Sequence, residues 1–88
     1  MVTINFNPKG GGGYISDPIT AADAEIVVHL EFAVPATVAL EQSITGDNFV
    51  EAEHFARAYT FERSILYHAG QQIRFVTSRK PVKAVYIE

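Results

Sequence analysis

The clearest alternation of hydrophobic and polar positions lies in the segment EIVVHLEF, residues 25 to 32. Side chains on a β-strand point to opposite faces with a period of two residues. One alternating set is wholly apolar and the other is mostly polar: the two sets are Ile26, Val28, Leu30 and Phe32, and Glu25, Val27, His29 and Glu31. The pattern predicts a half-buried strand whose core face carries the first set.

Further strands are predicted on both sides of this segment. VTINF at the start alternates in the same way, and ATVALEQSI (36 to 44) resumes an apolar pattern after Pro35 interrupts it. Near the end, QQIRFVTS (71 to 78) follows Gly70 and places Ile73 and Phe75 opposite its polar positions. The last strand, within KPVKAVYIE, starts at or just after the proline, a tolerated opening position. TGDN, at 45 to 48, has the composition of a turn.

The middle of the chain fits two interpretations. NFVEAEHFARAY (48 to 59) has apolar residues at helical spacing, and Asn48 with Glu51 imitates a capping box. The strand interpretation is favoured, because turns bound the segment closely and its surroundings are strand-like. YTFERSILYH (59 to 68) reads as another strand. Both of its alternating sets contain apolar residues, which predicts burial from two sides.

These elements predict an all-β fold. The expected architecture is a small antiparallel β-sandwich, jelly-roll or discoidin-like, of 6–8 strands, with one short helix near 48–59 as the alternative. A chain of 88 residues has room for one core. Within it, residues 1–16 are interpreted as an N-terminal strand or arm with a glycine-rich hinge, and residues 17–88 as the sandwich domain.

Composition narrows the class of protein. Hydrophobic residues make up 48% of the chain and charged residues 19%, which favours a compact fold over disorder. There is no cysteine to form a disulfide or a thiolate ligand. No apolar run reaches the roughly 18 residues of a membrane span, and no signal peptide is visible at the N-terminus. We therefore expect no membrane partner.

Charge is distributed unevenly along the chain. Residues 1 to 53 contain eight acids against Lys9, whereas residues 54 to 88 contain six bases against Glu62 and Glu88, and the total is −3. One interpretation is that the two parts form neighbouring strands whose charges pair within the domain. The other is a surface of two signs that docks onto copies of itself.

The glycine run in NPKGGGGY does not have the order of a phosphate-binding loop. Such a loop places its lysine after the glycines and at the start of a helix. Here Lys9 precedes them, and Pro18 breaks any helix that begins afterwards. A flexible or unusually shaped connection is the preferred interpretation, because glycine accepts positive φ without steric cost.

Other candidate chemistry is weaker still. The three histidines, at 29, 54 and 68, show neither the His-x-His spacing of a strand metal site nor the i, i+4 spacing of a helical one. Ser64 and His68 are four apart, which would bring them together only on a helix. The basic C-terminal cluster lies in a chain of negative net charge, unlike an ordinary nucleic-acid module. No cofactor, metal, enzymatic activity or nucleic-acid partner is expected.

A local pattern resembles the discoidin-type β-sandwich module. In that family a strand ending in serine leads to an Asp/Gly/Asn turn and an aromatic residue, and a later strand carries an Ile-Arg pair. The corresponding positions here are Leu40, Ser43, Gly46, Asp47, Asn48, Phe49, Ile73 and Arg74. The resemblance covers about half of the chain, and Phe49 stands where the family usually has tryptophan. The same pattern on a minimal cysteine-free chain also resembles small accessory proteins of tailed-phage virions.

This resemblance implies a binding or assembly role. The expected function is that of a non-enzymatic structural protein, a virion accessory or capsid-decoration protein acting through protein–protein contacts. Its partners would be further copies of itself or a larger capsid or tail protein, and its location the virion, after assembly in the host cytoplasm, or otherwise the cytoplasm. The candidate contact residues are Lys9, Gly10, Gly11, Gly12, Gly13, Tyr14, Arg79, Lys80 and Lys83.

The alternative function is a small carbohydrate-binding module whose partner is a glycan. Such a module requires exposed aromatic side chains on one sheet face or loop. The candidates for that role are Tyr14, Tyr59 and Tyr67.

Overall fold

The fold is one antiparallel sheet of eight strands that curls on itself. A computed structural model describes residues 1–20, 25–66 and 68–87. The strands are β1 (Val2–Thr3), β2 (Phe6–Pro8), β3 (Tyr14–Ser16), β4 (Ile19–Thr20), β5 (Glu25–Ser43), β6 (Val50–Leu66), β7 (Gln72–Thr77) and β8 (Lys83–Ile87). The prediction of an all-β, sandwich-like fold is confirmed. The alternative of a helix near 48–59 is wrong, because β6 covers most of that segment and the described residues contain no helix.

β5 is the central strand, and both of its edges are occupied. β6 pairs with it along one edge for nearly its whole length. Along the other edge, β8 pairs with residues 27 to 31 and β7 with residues 38 to 43. Hydrogen bonds from the backbone N–H of Ser78 to the carbonyl of Thr37, and from that of Val82 to the carbonyl of Glu31, continue this edge between β7 and β8.

The sheet bends where β5 passes Pro35. The β5–β6 register is regular up to Glu31 and resumes at Ala36, with several β5 residues left over between them. Proline has no N–H to give to a ladder, and extra residues on one strand bend it. The prediction that Pro35 interrupts the strand therefore needs correction: the strand runs through Pro35, and what is interrupted is its pairing.

The bend turns the two halves of the sheet toward each other, and the core fills the space between them. Leu30 and Val28 from the first half of β5 are fully buried, as are Val38 from its second half and Phe75 and Ile73 from β7. The predicted core face of residues 25 to 32 is confirmed, because all four of its apolar residues are buried in one cluster. Burial of each large apolar side chain contributes about 1.5–3 kcal/mol.

The N-terminal segment closes one side of the curled sheet. β1 pairs with β8, placing Val2 opposite Tyr86, while β2 pairs with β3 and β3 pairs with β7. Ile4 and Phe6, on this segment, are buried in the common core. Residues 1–16 are thus built into the sheet that contains the rest of the chain. The glycine run is a hairpin turn inside that sheet, in place of the expected hinge to an arm.

Candidate functional site

The side of the sheet opposite the N-terminal segment is formed by β6. Among the described residues, β6 pairs with β5 alone, so its other edge is uncovered. An edge strand presents unpaired N–H and C=O groups that can pair with another strand. The strand is 17 residues long. Three large apolar residues on it are well exposed: Val50 at 54%, Tyr59 at 59% and Leu66 at 76%.

β6 is sharply bent at its centre, around Arg57. This residue has a φ of 58°, in the left-handed region that side chains other than glycine seldom adopt. The register also changes there, because β6 has an additional residue between its pairings with Val38 and Ala36. The rings of Phe55 and Phe61 consequently meet at 4.9 Å between centroids, whereas a straight strand would hold them roughly 20 Å apart. We refer to residues 50–56 as the first limb and residues 60–66 as the second limb.

An ion pair joins the two limbs on their inner face. The guanidinium of Arg63 donates to Oε1 of Glu53, ten residues earlier in the strand, and lies 5.8 Å from the centre of the Phe55 ring. Oε2 of Glu53 is buried and has no hydrogen-bond partner among the described residues. A buried acceptor without a donor is unfavourable. Glu53 therefore keeps one carboxylate oxygen that can accept a further hydrogen bond.

The predicted contact residues Lys9 to Gly13 form the exposed tip of the β2–β3 hairpin. The N–H of Lys9 donates to the carbonyl of Gly13 at 3.0 Å, and the N–H of Gly12 donates to the carbonyl of Lys9 at 3.1 Å. Gly13 has a φ of +79°, and a Cβ there would lie 2.7 Å from the carbonyl oxygen of Thr77. Glycine at this position thus lets the hairpin pack directly against the end of β7.

A cleft of about 400 Å³ lies beside this hairpin tip. Its walls carry charges of both signs, with Lys9 on one side and Glu41, Glu51 and His54 on the strands opposite. Glu41 is engaged by Arg74, whose Nε donates to its Oε1 at 2.6 Å. The cleft is open and its lining mixes polar and apolar groups, so it suits contact with a protein surface better than enclosure of an apolar small molecule.

The other predicted contact residues are divided between two places. Arg79 and Lys80 are exposed in the loop after β7, close to the hairpin tip through Thr77, whose hydroxyl donates to the Arg79 carbonyl at 2.7 Å. Lys83 lies opposite Glu31 in the β5–β8 ladder and borders a separate cleft of about 280 Å³. Tyr14 is half-buried and packs against the core. The structure therefore brings the glycine hairpin, Arg79 and Lys80 to one end of the molecule and places Lys83 apart from them.

His29 lies between two carboxylates. Its Nε2 is 2.6 Å from Oε2 of Glu31, and its Nδ1 is 2.8 Å from Oε1 of Glu62. These two hydrogen bonds, led by that from Glu31, raise the pKa of His29 above its ordinary value. The sequence shows that Glu31 shares its face, but Glu62 joins only through the β5–β6 register.

The alternative of a carbohydrate-binding surface depends on three tyrosines. Tyr59 is exposed at the bend of β6, whereas Tyr14 packs against the core. Tyr67 lies outside the described residues. In the part of the chain that the structure describes, these candidates do not form a shared aromatic platform.

The β6 edge was not identified as a site from the sequence. The apolar residues in both alternating sets of 59 to 68 predicted burial from two sides, and that prediction is wrong: the second limb is exposed apart from Phe61 and, in part, Ile65. Its apolar residues lie on a free edge instead. One feature of the sequence does indicate an edge strand: residues 50 to 66 form a long segment without proline in which charged residues alternate with apolar ones.

Three further observations bear on the class of function. Within residues 1–20, 25–66 and 68–87 no group of three or more histidine or acidic side chains is arranged to hold a metal ion. The same residues include no helix long and apolar enough to cross a membrane. Comparison with protein-family models, with curated proteins and with solved structures finds no match to this chain.

Proposed function

We propose that this chain is a non-enzymatic assembly protein that acts through protein–protein contacts, and that the uncovered edge of β6 is its principal contact. The observation that carries the proposal is the length of this edge together with its exposed apolar side chains. Strand addition at such an edge is a recurring mode of protein recognition, in which backbone hydrogen bonds supply affinity.

The composition of β6 supports this assignment. Proteins that remain monomeric blunt their edge strands with short length, charged side chains (lysine above all), proline or strong bulges. β6 is long and contains neither lysine nor proline. Its bulges at Arg57 and at Ala52 divide the edge but leave the segments between them extended. By contrast, the other side of the sheet is covered by the N-terminal segment. The strands that end the sheet on that side, β1 and β2, are two and three residues long. Among the described residues β6 is therefore the long uncovered edge, as expected for a strand that a partner completes.

The setting we propose is a virion, in which the chain serves as an accessory or capsid-decoration protein. This part of the proposal is supported by the resemblance of Ser43 to Phe49, with Ile73 and Arg74, to small accessory proteins of tailed-phage virions. The exposed glycine hairpin with Arg79 and Lys80 offers a second, smaller contact at the end of the molecule.

Site-specific photo-crosslinking in the organism that encodes the chain tests this function. A photoreactive phenylalanine analogue replaces Tyr59 on the open edge, and a matched variant carries it at Asn5, exposed on the closed side. We expect one defined protein product from position 59 and none from position 5. No product from position 59 would contradict the assembly function. Absence of that product from purified virions, when cells contain it, would contradict the virion setting alone.

A further inference from the structure

The sequence of β6 is complementary to itself when it is read in the two directions from Ala58. Three pairs of residues at equal distances from Ala58, in VEAEHFAR before it and YTFERSIL after it, are complementary in charge, in polarity or in ring type. The matching positions are Glu53 with Arg63, His54 with Glu62, and Phe55 with Phe61. An antiparallel pairing of two identical strands places such positions directly opposite each other.

From this we infer that the partner on the β6 edge is a second copy of the chain, related by a two-fold axis through Ala58. The first limb of each copy pairs with the second limb of the other, so the interface uses the same residues on both sides. This inference rests on the proposed function, because it names the occupant of the edge that the function requires.

The bend in β6 is compatible with this arrangement. A two-fold axis perpendicular to the sheet keeps both copies bending toward the same side, so one bent edge can follow the other. The left-handed backbone of Arg57 breaks regular pairing near the axis. The interface therefore consists of two short ladders, one for each pair of limbs, and Tyr59 of one copy lies opposite Arg57 of the other, a favourable cation–ring combination.

Charge complementarity selects this register over its neighbours. Side chains keep their faces only when the register moves by two residues. A shift in one direction places Glu53 opposite Phe61, although it sets Glu51 against Arg63, and a shift in the other places Glu53 opposite Ile65. Only the register centred on Ala58 gives the buried carboxylate of Glu53 a charged partner, Arg63, and at the same time sets the His54 ring against the acceptor Glu62. A cross-strand pair of opposite charge stabilises a sheet.

The monomer leaves acceptors for these contacts. Oε2 of Glu53 is buried without a hydrogen-bond partner among the described residues, while Oε1 is used by Arg63 of the same chain. Arginine carries five N–H donors, and Arg63 of the second copy comes opposite this carboxylate. Glu62 uses Oε1 to contact His29, and its second oxygen faces His54 of the other copy.

Disulfide mapping tests the register. The chain has no cysteine of its own, so only the introduced cysteines can form a disulfide. Ala56→Cys and Thr60→Cys lie opposite each other in the proposed register, at a separation that a disulfide can span. A mixture of the two single variants should oxidise to a linked heterodimer, whereas each alone stays unlinked. The control mixtures are His54→Cys with Thr60→Cys and Ala56→Cys with Glu62→Cys, which match registers shifted by two. Preferential linkage in a control mixture would overturn the inference.

Charge exchange tests the same contact in solution. His54→Glu puts two like-charge pairs into the dimer, so sedimentation velocity over a range of concentrations should show a roughly tenfold higher Kd. Adding Glu62→Lys restores opposite charges and should return the Kd to within about threefold of the original. Thermal melts of His54→Glu and Glu62→Lys at high dilution check that each variant folds. A double variant that remains as weak as His54→Glu would overturn the register.

These outcomes are separable from failure of the proposed function. A chain that is monomeric at all accessible concentrations, while position 59 crosslinks to a different protein, overturns the self-pairing and leaves the assembly function standing. A chain that neither self-associates nor crosslinks overturns both. A concentration-dependent dimer with the Ala56–Thr60 linkage supports both.

Discussion

His29 is the residue whose protonation is most closely tied to the fold. Both of its ring nitrogens contact carboxylates, and both contacts favour the charged imidazolium. Lys83 and Met1 border the same cleft. Because the pKa of His29 is raised in the folded state, the folded protein binds a proton at this residue more tightly than the unfolded chain does.

The sign of the pH dependence follows from this direction. A raised histidine pKa contributes stability that is fully present below the unfolded value, near pH 6.5, and is lost as pH rises through the folded pKa. We expect the wild-type midpoint of urea unfolding to fall across that window. His29→Gln should flatten the change. His54→Gln serves as the control for loss of a histidine and should keep it; an unchanged slope in His29→Gln would contradict the assignment.

Gly13 and Gly10 provide a matched pair for testing the hairpin. Gly13 combines a positive φ with a Cβ position 2.7 Å from the Thr77 carbonyl oxygen, whereas Gly10 has no atom within 4 Å of its Cβ position. Gly13→Ala should destabilise the fold by roughly 1–3 kcal/mol. Gly10→Ala should be neutral or slightly stabilising. Chemical denaturation measures both, and equal effects would show that the hairpin tip does not pack as described.

At the scale of elements, the alternation of apolar and polar residues predicted which segments form strands. It did not predict the position of each strand in the sheet. Residues 25 to 32 alternate strictly, so their core face followed from the sequence. The second limb of β6 also alternates, but its neighbours decide whether it is central or at an edge. That depends on the N-terminal segment, which covers the β8 side and leaves the β6 side open. No feature within residues 59 to 68 records this.

The candidate contact residues show the same division. The glycine run predicted a flexible or unusually shaped connection, and the structure places Lys9 to Gly13 in a hairpin turn with positive φ at Gly11, Gly12 and Gly13. Their grouping with Arg79 follows from the pairing of β3 with β7, which the chain order does not reveal. The ion pair between Glu53 and Arg63 depends on the bend at Arg57, and a left-handed arginine has no sequence signature.

The N-terminal element should be required for folding. Phe6 and Ile4 lie in the common core, and the segment covers the edges of β3 and β8. Phe6→Asp buries a charge without a partner and should remove the cooperative thermal transition. Thr3→Asp, at an exposed position of β1, controls for the added charge. Circular dichroism melts compare the two. A cooperative transition retained in Phe6→Asp would show that the N-terminal segment is an arm that the folded domain does not require.

At the scale of the molecule, some of the acidic residues from the first part of the chain form ion pairs with basic residues from the last part. Glu41 and Glu53 from the acidic part pair with Arg74 and Arg63 from the basic part. This confirms, for these pairs, the interpretation that the two parts are neighbours in one domain. The other interpretation, a surface with acidic and basic regions that docks onto copies of itself, stays a prediction. Arg79 and Lys80, which are exposed, would belong to its basic region.

Amide hydrogen exchange should report the order of the strands across the sheet. β5 is hydrogen-bonded on both edges, so its amides exchange only through large openings. The outward amides of β6 have no partner strand in the monomer and should exchange much faster at high dilution. Mass spectrometry of peptides covering β5, β6 and β7 measures this gradient. Uniform protection of β6 in a dilute sample would show that its edge is covered within a single chain.

The pairing of Val2 with Tyr86 also bears on how the fold is reached. Contacts between residues far apart in sequence form slowly, because a long stretch of chain must be ordered before they are made. The β5–β6 hairpin, with β7 beside it, joins segments that follow one another along the chain. β1 instead pairs with β8, which is separated from it by most of the sequence. We therefore expect β1 to join the sheet late, after β5, β6, β7 and β8 have formed the surface against which it pairs.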